Sequence, residues 1–106
     1  MSETKIDVKI MDEIMAFIAE VSKYYTIDAV YLFGSYAKGK NSKWSDIDLA
    51  IISKDINNRI DDMAKLFLIA SKFDANIEPH PFKTELFNSD EYIIADEILR
   101  TGIRVA

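Results

Sequence analysis

The chain has 106 residues, no cysteine and one histidine, which excludes a disulfide framework and a zinc site built from cysteines or from several histidines. This length, with 49% hydrophobic residues, predicts a single domain over residues 1–106. A net charge of −5 disfavours nonspecific binding to nucleic acid. The N-terminus lacks the apolar core of a secretory signal, and no apolar run approaches the ~20 residues that span a bilayer, so we expect no membrane partner and a cytoplasmic location.

The first half of the chain predicts a helix and two strands. Apolar residues over 10–25 recur at steps of three and four, as on one face of an amphipathic helix. Residues 27–33 and 46–53 are short and rich in β-branched or aromatic side chains, which is typical of buried strands. Between them, GSYAKGKNSKWS has room for about one helical turn, whereas a parallel crossover needs about a dozen residues or more. We therefore expect these two strands to be antiparallel.

The next segment predicts a helix and a third strand. Helical spacing returns over residues 57–73, and either Asn57 or Asn58 is a candidate N-cap. The third strand covers 75–81, and we expect it to end early because Pro79 and Pro81 cannot donate to a ladder.

The C-terminal part predicts a last helix over 90–99, which runs into the C-cap signal at Thr101 and Gly102, and 103–106 are a candidate final strand. This alternation of helices and strands predicts an α/β fold with a small mixed sheet of three to four strands packed with helices.

Two aspartates at the head of the second strand form the pattern with the clearest chemical meaning. Asp46 and Asp48 follow the pair Gly34-Ser35 after ten residues. Residues two apart on a strand share a face with Cα atoms roughly 6.5 Å apart, so the carboxylates can converge. A divalent cation lets two such charges stay ionised, and oxygen ligands favour Mg²⁺ or Mn²⁺ over zinc. A lone Asp-x-Asp is usually a solvated strand start, but the whole spacing arises by chance on the order of once in a thousand chains.

The loop before these aspartates has the character of a phosphate site. Gly34 lets the backbone turn sharply off the first strand, and Ser35 offers N–H and hydroxyl donors. Lys38, Lys40 and Lys43 add local positive charge. Phosphate donors opposite carboxylates that can hold two ions ~4 Å apart are what phosphoryl or nucleotidyl transfer requires.

The segment GSYAKGKNSKWSDID resembles the signature of the DNA polymerase beta-type nucleotidyltransferase superfamily, in particular its minimal single-domain members. The resemblance implies the nucleotidyltransferase fold with an αβαβαβ core. It implies that Gly34 and Ser35 bind nucleotide phosphates, that Asp46 and Asp48 bind magnesium, and that a later strand supplies a third carboxylate. Lys38 stands where the family often has Arg, which keeps the charge but loses bidentate phosphate geometry.

For the third carboxylate the sequence offers Glu78 and Asp74. We choose Glu78 because it alternates with the apolar Ile77 at the end of the predicted third strand, whereas Asp74 lies at a helix–strand junction. Many relatives have Asp at this position, so the longer side chain is a departure. Glu78 is then the expected third metal ligand and the base for the attacking hydroxyl.

Three further residues have two interpretations each. His80 contacts the substrate or helps to hold the site, or, more commonly for a lone histidine between prolines, it is structural in a rigid turn. Trp44 stacks on a base or packs over the sheet edge, and Tyr36 is open in the same way.

The resemblance implies an enzyme that uses Mg²⁺, with two ions expected, and that moves AMP from ATP to a hydroxyl of a partner protein. The implied partner is a helical HEPN-type toxin, with this chain as its antitoxin. One alternative is a binding module that masks a surface of its partner. Intact Asp46 and Asp48 favour catalysis over it. A small-molecule adenylyltransferase is a second alternative, disfavoured because 106 residues leave no room for an acceptor domain. Tyr92, Ile93 and Ile94 exceed one buried stripe, which suits either a partner surface or a homo-oligomer.

Overall fold

A four-stranded sheet with helices makes up residues 6–40, 45–89 and 93–106, the parts of the chain that this computed structural model describes. The helices in those parts are α1 (Val8–Val21), α2 (Arg59–Ala70), α3 (Thr84–Phe87) and α4 (Ile93–Thr101). The strands are β1 (Ile27–Phe33), β2 (Ile47–Ser53), β3 (Ile77–Lys83) and β4 (Ile103–Arg104).

The sheet is mixed, as the sequence predicts. Its strand order is β3-β2-β1-β4. β1 pairs antiparallel with both β2 and β4, and β2 pairs parallel with β3 through the crossover that contains α2. The antiparallel pairing of the first two strands follows from their short connection. None of the described helices is long and apolar enough to cross a bilayer.

Side-chain caps start the two long helices. The Asp7 carboxylate accepts a hydrogen bond of 2.8 Å from the Lys9 amide at the start of α1. Asn58 is the N-cap of α2, where its side-chain oxygen accepts from the amides of Ile60 and Asp61, each at 3.1 Å. Of the two asparagines that the sequence offers, Asn58 is therefore the cap, because its oxygen reaches amides that have no partner inside the helix.

The two faces of the sheet bury different clusters. Odd-numbered residues of β2 face α1 and α2, and its even-numbered residues face α3 and α4, as alternation along a strand requires. The α1/α2 face includes Ile14, Phe17, Val21, Val30, Leu32, Ile47, Leu49, Ile51 and Leu66. The opposite face includes Ala50, Ile52, Phe82, Phe87, Ala95 and Ile98. Since β2 is covered on both faces along most of its length, the residues at its open end can be polar without breaking the core.

The expectation that the third strand ends early at its prolines is wrong. β3 continues to Lys83, and all of its residues pair with β2. The Asn76 carbonyl accepts from the Ile47 amide at 2.7 Å, so even-numbered residues here turn their backbone polar groups toward β2. Pro79 and Pro81 therefore turn their missing donors toward the open edge, because β3 is an edge strand. The prolines cost the ladder nothing.

Tyr25 and Asp62 form a buried polar link between the end of α1 and the start of α2. The Tyr25 hydroxyl donates to Oδ1 of Asp62 at 2.7 Å, and Oδ2 accepts from the amides of Asn57 and Asn58 at 3.0 and 3.2 Å. Burial opposes ionisation of Asp62, but these hydrogen bonds outweigh it and lower the pKa of the carboxyl group. Burial and the bond to Asp62 raise the pKa of Tyr25. The link fixes α2 against α1.

The remaining differences from the predicted elements are local. α3 is absent from the sequence-based prediction because one helical turn is too short to show a period. α4 extends two residues beyond its predicted end at 99 and stops before Gly102, while its predicted start at 90 lies outside the described residues. Ile93 is 94% exposed and Ile94 is 41% exposed, so neither is used in the core.

Candidate functional site

The three acids named from the sequence come together at one end of β2 and β3. Asp48 is paired in register with Glu78 on the neighbouring parallel strand, and both lie on the sheet face that carries α3 and α4. Adjacent strands lie about 4.8 Å apart, so side chains in register on one face are close neighbours. Asp46 precedes β2, is exposed, and hydrogen-bonds through its carboxyl group with Glu78. The structure thus brings Asp46, Asp48 and Glu78 into one acid cluster.

The charge state of Glu78 reflects this crowding. Burial raises the pKa of its carboxyl group, and the hydrogen bond with Asp46 and the negative charge of Asp48 raise it further. Like charges at short range each disfavour ionisation of the other. When Glu78 is ionised, the cluster therefore carries repulsion that a bound cation would relieve.

Asp74, the weaker candidate from the sequence, lies elsewhere. It is exposed, and its amide donates to Oε1 of Glu13 at 3.2 Å. Both residues line a cavity of about 260 Å³ on the α1 side of the sheet. Glu78, and not Asp74, is the acid that faces Asp48.

His80 lies beside the acids, although its sequence context favours a structural role in a rigid turn over a role at the site. Its Nε2 atom lies 3.2 Å from Oδ1 of Asp48 and 3.5 Å from Oε1 of Glu78. Its ring packs edge-on against Phe33, with ring centroids 5.1 Å apart. The placement in a rigid turn is wrong because β3 passes through both prolines. The sequence contains a pattern that could have placed His80 beside Glu78. The two residues are two positions apart, and side chains two positions apart on a strand lie on the same face.

Gly34 connects the cluster to the turn that follows β1. Its φ is 74°, and a Cβ atom at this position would collide with the carboxylate of Asp48. Glycine suits this position because the backbone is left-handed and because a Cβ would force the Asp48 side chain to move. The turn is closed by hydrogen bonds from the Lys38 amide to the Gly34 carbonyl at 3.2 Å and from the Lys40 amide to the Ser35 carbonyl at 2.9 Å. The turn therefore lies directly against the acids.

Lys38 points toward α4. Its Nζ lies 3.5 Å from Oε1 of Glu97, and both side chains are about half exposed, at 45% and 53%. A cavity of about 210 Å³ beside Gly34 is lined by Lys38 and Glu97 and by the apolar Phe33 and Ile94. The lysine is close to the turn but is paired with an acid across this cavity.

The other loop residues divide into three groups. Tyr36 is buried against the α1/α2 face, so it is a core residue. Lys40 is exposed. Lys43 and Trp44 lie outside the described residues.

The donor set suits a divalent cation. One atom each from Asp48, Glu78 and His80 lie within 4.8 Å of one another, and Asp46, which is not part of this set, adjoins it through its contact with Glu78. Beside the acids, the turn at Gly34 and Ser35 provides a backbone bend of the kind that receives phosphate oxygens. A cation held next to a phosphate-binding turn is the arrangement that phosphoryl-transfer chemistry uses.

Comparison with known proteins also indicates a nucleotidyltransferase. The family model "Polymerase beta, Nucleotidyltransferase" matches residues 16–106. Two curated proteins of Methanocaldococcus jannaschii are similar in sequence. "Putative protein adenylyltransferase MJ1547" is 33% identical over 72 residues, which span 65% of this chain and 57% of that protein. "Putative protein adenylyltransferase MJ0141" is 34% identical over 83 residues, which span 74% of this chain and 79% of that protein. The chain thus spans little more than half the length of the first of these relatives.

Solved structures share the fold. The crystal structure of "a putative nucleotidyltransferase from Sulfolobus solfataricus" has a TM-score of 0.65 at 19% identity, and the match covers 92% of this chain and 79% of that one. A toxin–antitoxin structure with AMP-PNP has a TM-score of 0.65 at 22% identity, covering 89% of this chain and 70% of the other. A mutant toxin–antitoxin MntA-HpeT has a TM-score of 0.64 at 20% identity, covering 96% and 73%. Since the matched family region runs from within α1 to the last residue and includes the Gly34 turn and all three acids, the chain belongs to the polymerase beta nucleotidyltransferase family.

Proposed function

We propose that this protein is a Mg²⁺-dependent nucleotidyltransferase that transfers AMP from ATP to a hydroxyl group of a partner protein and releases pyrophosphate. The observation that carries the proposal is the register of β2 and β3. It sets Asp48 beside Glu78 on one face, with Asp46 bonded to Glu78 and Gly34 against the Asp48 carboxylate. Acids next to a turn that can bind phosphate would hold the metal ions that nucleotidyl transfer requires, whereas they contribute nothing to hydrophobic packing.

Asp46, Asp48 and Glu78 are the residues that would hold magnesium. Carboxylate oxygens are the ligands Mg²⁺ prefers, and the mutual repulsion of these groups favours their occupation by a cation. When bound, a pair of divalent ions supplies charge neutralisation at the transferred phosphoryl group and at its leaving oxygen. Family membership and the donor chemistry of the cluster both support this assignment.

Gly34, Ser35 and Lys38 would bind the triphosphate. The bend at Gly34 turns the chain end of β1 toward the acids, and Ser35 follows it with an amide and a hydroxyl. Lys38 would exchange its exposed contact with Glu97 for a phosphate oxygen. An exposed ion pair of this kind is worth only about 0.2–1 kcal/mol, so the exchange costs little.

Glu78 is the group placed to take the proton. The acceptor oxygen forms a bond to the α-phosphorus while the bond from that phosphorus to the bridging oxygen of pyrophosphate breaks, and the hydroxyl proton passes to the Glu78 carboxylate. Glu78 supports this role by its position, because it lies opposite Asp48 where the Gly34 turn meets the acids.

The acceptor is proposed to be a protein, and the partner to be a HEPN-type toxin neutralised by this chain. Two observations support a protein acceptor and a toxin partner. The two curated relatives are each named "Putative protein adenylyltransferase", and two of the structures with the same fold are described as toxin–antitoxin, one of them with AMP-PNP. On α4, Ile93, Ile94 and Leu99 are exposed apolar side chains on the sheet face that carries the acids. They give a partner somewhere to contact next to the site.

The test is transfer of label from α-labelled ATP to a helical partner that co-purifies with the chain. Mass spectrometry of the partner should find the mass of one AMP on a Tyr, Ser or Thr. The double variant Asp46→Asn with Asp48→Asn should abolish the transfer while the circular dichroism spectrum stays that of the wild type. Asp74→Asn is the matched control, because it removes an acid near the same end of the sheet but outside the cluster, and it should keep the wild-type rate.

Transfer that persists in the double variant would refute catalysis by these acids. A tight complex whose partner stays unmodified in the presence of ATP and Mg²⁺ would instead establish neutralisation by masking.

A further inference from the structure

We propose that His80 is a metal ligand, and that with Asp48 and Glu78 it forms a mixed nitrogen–oxygen site that prefers Mn²⁺ over Mg²⁺. The inference deepens the proposed function and rests on it only in taking the acid cluster as a metal site. It concerns which divalent ion the site selects at equal concentrations, which is compatible with use of Mg²⁺ because carboxylate ligands accept both ions. This selectivity can be measured without any transfer reaction.

The first support is the separation of the three donor atoms. Nε2 of His80 lies 3.2 Å from Oδ1 of Asp48 and 3.5 Å from Oε1 of Glu78, and the set is within 4.8 Å overall. Ligands bonded at about 2.1 Å on adjacent corners of an octahedron are roughly 3 Å apart. The nitrogen and the two oxygens therefore already have nearly the spacing that one shared ion would impose.

The second support is how firmly His80 is held. It lies on β3 between Pro79 and Pro81, whose rings restrict the backbone on both sides, and it is paired in register with Ala50 of β2. Its ring packs edge-on against Phe33 of β1. Pairing with β2 thus holds the backbone of His80, and Phe33 contacts its ring, with Nε2 within 3.5 Å of both acids, so little conformational freedom is lost on binding an ion.

The third support is donor chemistry. Oxygen ligands alone suit Mg²⁺, whereas imidazole suits transition metals, whose affinities for a nitrogen-bearing site rise from Mn²⁺ onward. Two carboxylates with one imidazole keep the hard character that Mn²⁺ shares with Mg²⁺ and add a donor that Mg²⁺ uses poorly. The carboxylates alone bind Mn²⁺ and Mg²⁺ with similar preference, so the His80 nitrogen is the donor that favours Mn²⁺.

The experiment is a titration of the full chain, free of any histidine tag and of nucleotide, with Mn²⁺ followed by electron paramagnetic resonance and with Mg²⁺ as competitor. We expect the wild type to bind Mn²⁺ at least ~10-fold more tightly than Mg²⁺. His80→Ala should weaken Mn²⁺ roughly 10–100-fold and Mg²⁺ by less than about threefold. Asp74→Asn, outside the cluster, should leave both affinities unchanged.

A spectroscopic reading keeps the proposal testable if the variant fails to fold. The chain has a single histidine, so imidazole nitrogen coupling to bound Mn²⁺ in a spin-echo experiment on the wild type can arise only from His80. Detection of that coupling supports direct ligation. Bound Mn²⁺ without it, no Mn²⁺ binding at all, or an equal loss of both ions in His80→Ala would overturn the proposal. Ion selectivity with no AMP transfer would uphold it while refuting the proposed function.

Discussion

The close approach of Gly34 to Asp48 can be separated from the backbone conformation of Gly34, because the chain supplies a second glycine for comparison. Gly34 and Gly39 both have positive φ, at 74° and 68°. A Cβ at Gly34 would strike the Asp48 carboxylate, whereas nothing lies within 4 Å of a Cβ at Gly39. Gly34→Ala and Gly39→Ala therefore share the cost of a left-handed backbone and differ in the displacement of one acid.

The shared cost is about 1–2 kcal/mol. In a domain of this size each kcal/mol lowers Tm by about 4–8 °C, so thermal unfolding followed by circular dichroism should show a comparable drop in both variants. Only Gly34→Ala must also move Asp48. Since misplacing a reacting group by 1 Å can cost ~100-fold in rate, single-turnover transfer from α-labelled ATP should fall about 100-fold in Gly34→Ala and stay near wild type in Gly39→Ala. Equal rates in the two variants, whether both high or both low, would refute the idea that contact with Asp48 is what requires this glycine.

Three further predictions concern other named contacts. Glu78→Gln should raise the Tm of the metal-free protein at pH 7 in calorimetry, since the raised pKa of Glu78 means that its ionisation opposes folding as pH rises through the folded-state value, and the gain should vanish near pH 4. Tyr25→Phe should lower the free energy of unfolding by about 1.5–3 kcal/mol in urea titrations, because Asp62 loses a donor. The lowered pKa of Asp62 makes its contribution present above 3.8 and lost as pH falls through the folded-state value, so the effect of Tyr25→Phe should shrink in acid. Lys38→Ala should weaken ATP binding in equilibrium dialysis, and Lys38→Arg should retain it because the guanidinium keeps the charge.

Part of the acid cluster can be predicted from the sequence because it depends on features of individual strands and of the short connection between them. Alternation puts Asp46 and Asp48 on one face, and the short connection after β1 makes the first two strands antiparallel. What sequence alone lacks is the register between β2 and β3. Only the structure sets Glu78 opposite Asp48, because register depends on how the crossover through α2 packs on the sheet.

The prolines of β3 explain why the predicted third strand was too short. Because proline cannot donate to a ladder, the sequence favours an early end to the strand and a rigid turn at His80, and hence a structural role for His80 over one at the site. A missing donor weakens a central strand, but β3 lies at the edge, where alternate amides have no partner to lose. Whether a strand is central or at an edge is a property of the whole fold, so no local pattern could have decided it. Once β3 is extended, the placement of His80 beside Glu78 follows from spacing alone.

Asp62 and Glu78 show how one fold separates a structural acid from a functional one. Both are partly withdrawn from water, and burial opposes ionisation of each. Around Asp62 the neighbours are donors, namely a tyrosine hydroxyl and two backbone amides, so the charge is satisfied and the pKa falls. Around Glu78 burial and the neighbours Asp46 and Asp48 oppose the charge, and they outweigh His80, whose Nε2 lies 3.5 Å from Oε1, so the pKa rises. Because acids outnumber donors around Glu78, we expect a bound cation to neutralise its charge, as the Tyr25 hydroxyl and two amides do for Asp62.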